Sequence, residues 1–256
     1  MPRPAAMSAR PTSRVARRDT TSAIFAHPAQ TELAERLAAL LEPEAKAWFG
    51  TSGSEALDAM ARYFRKASGR SHIVSFKGSF HGQTGGSGAL SGLLPESDFP
   101  DARVTKVPFP NPYRCTWGPC ARAGCSLRCL GPLKEAVDEA GSDLAGVVTE
   151  PIQSDGGDVI PPDNVLPALR EICDRAGAWL GLDEVKVGLG RTGSLLAHDR
   201  ASVRPDAIAF GKALGGGFPL SALVARREIV DAETGACAYT LAGSPVACAA
   251  GLASWD

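Results

Sequence analysis

Lys212 closes the apolar run in Ala207-Ile-Ala-Phe-Gly-Lys-Ala-Leu-Gly-Gly-Gly217 and opens its glycine cluster. The stretch Ala178-Trp-Leu-Gly-Leu-Asp-Glu184 repeats this design and delivers Asp183 after an apolar run. An amine and a carboxylate offered in this way suit pyridoxal 5'-phosphate chemistry. The amine forms a Schiff base, and the carboxylate keeps the pyridine nitrogen protonated so that the ring draws in electrons. A lone lysine after a buried strand is more commonly a surface residue, so the other segments must decide.

Three further segments carry polar groups of the required kinds. Thr51-Ser-Gly-Ser-Glu-Ala56 is a turn of small residues opening a helix, where the N–H groups of Gly53 and Ser54 suit a phosphate. Ser-Gly-Ser is also a common turn and cap. In Ser79-Phe-His-Gly82, Phe80 could stack on a flat ring or fill the core, and His81 could contact the ring or remain a loop histidine. Leu144-Ala-Gly-Val-Val-Thr-Glu150 ends an apolar strand on the carboxylate of Glu150. Glu150, Asp183 and Lys212 all fall at or just after strand ends, where ligands gather in parallel α/β sheets.

Those strands need elements to hold them. The sequence predicts helices over about 31–41, 55–67 with Ser54 as N-cap, 133–140 and 165–176, and another beginning at Pro245. Strands are expected at Ala47-Trp-Phe-Gly50, His72–Phe76, 144–150, before Asp183, before Lys212, and at Leu220–Ala225. Apolar strands alternating with amphipathic helices imply a mostly parallel sheet covered on both faces.

The 256 residues suffice for one large or two small α/β domains, and 44% apolar and 21% charged content is ordinary for a globular chain. A formal net charge of -1 gives no support to nucleic-acid or anionic-membrane binding, and no apolar run would span a bilayer. Residues 1–26 read as a disordered, arginine-bearing leader, and the compartment as cytoplasmic. Cys173, Cys237 and Cys248 read as small core residues. Cys115, Cys120, Cys125 and Cys129 share one loop; their spacings lack the usual C-x2-C pair, so free thiols are the default and a metal site the minor alternative.

Together the segments Phe49-Gly-Thr-Ser-Gly-Ser-Glu-Ala56, Phe80-His-Gly82, Glu150-Pro-Ile-Gln153, Leu182-Asp-Glu-Val185 with Gly188-Leu-Gly-Arg-Thr-Gly193, Gly211-Lys-Ala-Leu-Gly-Gly-Gly217 and Thr240-Leu-Ala-Gly-Ser-Pro245 resemble the class III pyridoxal-phosphate-dependent aminotransferases. The resemblance runs from about His27 to the C-terminus. It implies fold type I, an α/β/α large domain over 27–256 truncated at both ends relative to the family, the C-terminal small domain being absent. By the same resemblance Lys212 is the Schiff-base lysine and Asp183 the partner of the ring nitrogen. Gly53 and Ser54 hold the phosphate, Phe80 and Val185 cover the two ring faces, and His81 and Glu150 belong to the polar network around the ring. Thr240 reaches the phosphate of a neighbouring subunit, implying a homodimer with shared sites.

Two departures stand out. Asp183-Glu-Val-Lys-Val-Gly188 carries Lys186 where the family usually has a glutamine touching the cofactor's phenolic oxygen. Lys186 is expected at that oxygen, favouring the phenolate, with a turn to solvent as the alternative. Asp155 stands where a glutamate is frequent, so gating contacts are not carried over. The implied activity is a ping-pong transfer of an amino group from an amino acid or amine to a 2-oxo acid. The alternatives are a racemase, decarboxylase or aminomutase on the same core, or an inactive cofactor-binding domain.

Overall fold

The computed structural model describes residues 27–118, 125–233 and 237–255. The leader expected over 1–26 and Cys120 lie outside them. Seven strands form one sheet: β1 (Lys46–Gly50), β2 (His72–Phe76), β3 (Val104–Val107), β4 (Leu144–Thr149), β5 (Trp179–Asp183), β6 (Ala207–Phe210) and β7 (Ser221–Ala225). Their order is β1-β7-β6-β5-β4-β2-β3. Strands β2 to β6 run parallel, and β7 runs antiparallel to both β6 and β1. The sheet is therefore mostly parallel, as the continuous apolar runs predict.

Helices cover both faces: α1 (Pro28–Ala38), α2 (Gly53–Ser68), α3 (Gly85–Leu90), α4 (Gly131–Ala140), α5 (Val165–Ala176), α6 (Arg227–Val230) and α7 (Pro245–Trp255). The pleat sorts side chains between them. Ala207 and Ala209 of β6 and Leu223 and Ala225 of β7 pack in the cluster formed around α2, while Ile208, Phe210, Ala222 and Val224 pack with α1 and α7. On β5, Leu180 and Leu182 join the cluster that includes α4 and α5. The face under α2 is lined by small residues, which lets the helix approach closely. A Cβ added to Gly181 would sit 2.4 Å from Met60 Sδ, and one added to Gly146 would sit 2.6 Å from Phe64 Cδ2. Phe64 is fully buried over this floor. Phe64→Ala is expected to cost about 3–5 kcal/mol in urea denaturation, through lost burial and the cavity left behind.

Two local expectations need correction, and two elements had no counterpart in the sequence reading. The N-cap of α2 is Ser52, whose hydroxyl accepts from Glu55 N, so Ser54 sits inside the first turn. The Gly/Ser-rich stretch 82–92 contains α3, and β3 carried no clear pattern in the sequence. Asp58 of α2 accepts from Thr84 Oγ1 and Ser87 N, a tertiary anchor that holds α3 despite its glycines. Cys173 and Cys248 are buried as expected, but Cys237 is only half-buried.

Candidate active site

Four adjacent parallel strands deliver the chemistry-bearing residues from their carboxyl ends. Phe80 and His81 follow β2, Glu150 follows β4 directly, Asp183 ends β5, and Lys212 lies just past β6. Gly53 and Ser54 open α2 after β1. With Val185, Lys186 and Asp155 these groups face a single cavity of about 150 Å³. Of the cofactor-site residues expected from the sequence, Thr240 stands apart: it is exposed and does not line this cavity.

Asp183 is held from two sides. Its Oδ1 accepts from Val185 N at 2.9 Å, and its Oδ2 lies 2.8 Å from His81 Nδ1. Both side chains are buried, so the acceptor-only carboxylate fixes a proton on His81 Nδ1. His81 Nε2 is buried and has no hydrogen-bond partner among the described residues. The imidazole thus supports the carboxylate at the cavity wall.

Glu150 accepts from Phe80 N at 3.2 Å through Oε2, and from Ser154 N at 3.2 Å and Ser154 Oγ at 3.1 Å through Oε1. It ties the β2 and β4 loops together and fixes where Phe80 begins. Burial raises its pKa, opposed by His81 and reinforced by Asp183. A raised folded-state value means a contribution to stability that is full below the unfolded value of about 4.5 and is lost as pH rises through the folded one. The stability of the wild type relative to Glu150→Gln should therefore be greater at a pH below that unfolded value than at a pH above the folded one. Urea titrations at both pH values check this, and a pH-independent difference contradicts it.

Val185 packs against the turn that opens α2. A Cβ on Gly53 would come within 2.8 Å of Val185 Cγ1, and one on Gly211 within 3.1 Å of the same atom. Gly53 is thus required by close approach, which leaves the N–H groups of the helix start open to the cavity. Gly82 has φ +122°, and a Cβ there would lie 2.4 Å from Ser54 Oγ. Ser54 Oγ accepts from Gln83 N at 3.3 Å, so the loops after β1 and β2 are locked together. Lys212 itself has φ +40°, an uncommon backbone state for a side-chain-bearing residue, and such strain tends to gather at functional sites. It is exposed toward the cavity.

Lys186 lines the cavity with its ammonium 3.6 Å from Asp155 Oδ1. Ser154 and Gly82 complete the wall. Gly82 was legible as the glycine after Phe80-His81, whereas nothing in the sequence marked Ser154 as the partner of Glu150. Among the described residues no group of histidine, cysteine, aspartate and glutamate is arranged to hold a metal, and Cys120 lies outside them.

The Aminotransferase class-III family matches residues 12–256. The chain belongs to the class III aminotransferases. The acetylornithine aminotransferase of Methanosarcina mazei is 39% identical over 227 residues, spanning 88% of this chain and 52% of that protein. The leucine/methionine racemase of Thermococcus litoralis is 38% identical over 232 residues, 86% of this chain and 51% of the racemase. Among solved structures, an amine transaminase from an uncultivated Pseudomonas species in its PLP-bound form superposes with a TM-score of 0.88 at 29% identity. It covers 99% of this chain and 62% of that one. This class III chain therefore spans about half the length of the curated relatives it matches.

Proposed function

We propose that the protein is a pyridoxal-phosphate-dependent aminotransferase that moves an amino group from an amino acid or amine to a 2-oxo acid. The observation that carries this is the meeting of an exposed lysine amine and a buried, doubly supported carboxylate in one cavity beside an open helix N-terminus. The residues fit the cofactor. Asp183 would hold the pyridine nitrogen, Gly53 and Ser54 the phosphate, and Lys212 Nζ the carbonyl carbon. Phe80 and Val185 would cover the ring faces, and Glu150 and His81 would keep their neighbours in place.

When bound, the cofactor supplies an electron sink for negative charge at the substrate Cα. The chain's own groups do the rest. Lys212 Nζ would take a proton from that carbon and return it as general base and acid. Asp183 opposes loss of the proton on the ring nitrogen, because its negative charge favours the cation beside it. Phe80 and Val185 exclude water from both faces.

The same reading makes the protein a cytoplasmic homodimer in which Thr240 of one protomer reaches the phosphate in its partner's site. Its support is the exposure of Thr240 beside exposed Tyr239 and Leu241, apolar surface suited to an interface. Among the described residues no helix is long and apolar enough to cross a membrane.

A second reading has specific support. The racemase of Thermococcus litoralis and the isoleucine 2-epimerase of Lentilactobacillus buchneri, 36% identical over 253 residues, are named for inverting a stereocentre. Lys212 as a proton shuttle serves that chemistry equally. One experiment separates the two: amino acids are supplied with and without a 2-oxo acid. Turnover that requires the 2-oxo acid supports transamination. Loss of optical activity without it, with solvent deuterium entering Cα, defeats it in favour of racemisation.

A further inference from the structure

We propose that Lys186 is the group with which this pocket receives a substrate carboxylate, with Asp155 as its counter-ion when none is bound. The proposal deepens the aminotransferase reading and rests on it. It names the substrate class as amino compounds that carry a carboxylate, the α-amino acids first among them.

The argument begins with the charge inventory of the cavity. Asp155, Asp183 and Glu150 supply carboxylates to its wall. An anionic substrate needs an offsetting cation there, because charges in a partly enclosed site act through a lower effective dielectric than in water. Lys212 is committed to covalent and proton-transfer work. His81 has its Nδ1 turned to Asp183 and its Nε2 buried. Among the described residues lining the cavity, Lys186 is the remaining permanent cation, and no arginine lies among them.

The present partner of Lys186 holds it loosely. The Nζ–Oδ1 distance of 3.6 Å exceeds that of a good charge-assisted hydrogen bond, and the two side chains are 40% and 45% exposed. Exposed pairs of this kind contribute little, so a competing anion can displace Asp155. The ammonium rides on a flexible stem with rotatable donors and can turn from one carboxylate to another. Its backbone is steadier, since Lys186 follows Val185, whose N–H is bound to Asp183 and whose side chain is wedged against Gly53 and Gly211. The anchor is thus fixed and the head is free. This differs from the expectation that Lys186 contacts the cofactor's phenolic oxygen, and the two roles separate experimentally.

The test uses pentanoate, a carboxylate that cannot react, with pentanamide as its neutral counterpart. Calorimetric titrations are run on the cofactor-loaded wild type, Lys186→Gln, Lys186→Arg and Asp155→Asn. Pentanoate should bind about tenfold or more weaker to Lys186→Gln, as loss of a charged hydrogen-bond donor predicts. Binding should recover in Lys186→Arg and tighten in Asp155→Asn. Pentanamide should bind weakly and alike to all four, and the visible absorption of the bound cofactor should be unchanged in Lys186→Gln.

Two results overturn the proposal: no detectable pentanoate binding to the wild type, or equal binding to wild type and Lys186→Gln. A shift in the absorption and pH titration of the bound cofactor in Lys186→Gln, with pentanoate affinity unaltered, assigns the ammonium to the cofactor oxygen instead. Failure of the wild type to take up cofactor counts against the aminotransferase reading alone. The same titrations on the unloaded chain still compare Lys186 with glutamine.

Discussion

Lys212→Ala is expected to abolish covalent capture of pyridoxal phosphate and to lower turnover by about four orders of magnitude. That is the upper end of what one positioned proton-transfer group contributes. Borohydride treatment of the loaded wild type should fix the cofactor to the peptide containing Lys212 and to no other lysine. The substitution should leave stability nearly unchanged, because Lys212 is exposed and its side chain fills no core. Alanine can occupy the same left-handed backbone region at a comparable cost, so the strained turn at φ +40° is retained. A variant that folds normally yet carries no covalently bound cofactor isolates the chemistry of the amine. Retention of the visible cofactor band in Lys212→Ala, with turnover within tenfold of wild type, would sink the assignment. It would direct attention to Lys186, the other amine in the cavity.

The fold was legible where burial on both strand faces wrote itself into composition. β4, β5, β6 and β7 are apolar apart from the terminal Thr149, Asp183 and Ser221, and α5 matches its predicted span because its stripe of Val165, Leu166, Leu169, Ile172 and Cys173 has helical period. Lys212, Asp183 and Glu150 were legible for a related reason: each is a charged group ending an apolar strand. What escaped was set by contacts distant in sequence. β3 is short and only partly buried, and it takes its register from β2. α3 is rich in glycine and serine and is held by Asp58 of another helix. The pairings His81–Asp183, Ser154–Glu150 and Lys186–Asp155 follow from loops converging above the sheet. Residue type alone gave no partner for any of them. Ser52 displaced Ser54 as N-cap because either small residue satisfies the capping pattern, and only backbone geometry at the turn distinguishes them.

Asp183→Asn should lower turnover by about two to three orders of magnitude, the range seen when a single preorganised electrostatic partner is removed. It should also destabilise the fold, and the two effects have separate origins. Asparagine is nearly the same size, but it presents one acceptor and one donor where aspartate presents two acceptors. Two N–H groups now point at the carboxylate, from Val185 and from His81 Nδ1. If the amide oxygen faces Val185, the amide N–H2 faces His81 and drives the ring proton to Nε2, which is buried without a partner. If the amide turns over, its N–H2 meets the Val185 N–H. Either arrangement strands one buried donor, at about 1–3 kcal/mol. A double-mutant cycle with His81→Phe checks the origin of the stability loss. Once the imidazole is gone, Asp183→Asn should cost markedly less in urea denaturation, while turnover should stay low in both backgrounds, because the charge opposite the ring nitrogen is still missing. Equal destabilisation with and without His81 would refute the tautomer argument. Near-wild-type turnover in Asp183→Asn would remove Asp183 from the chemistry and leave it as a structural brace between β5 and the loop after β2.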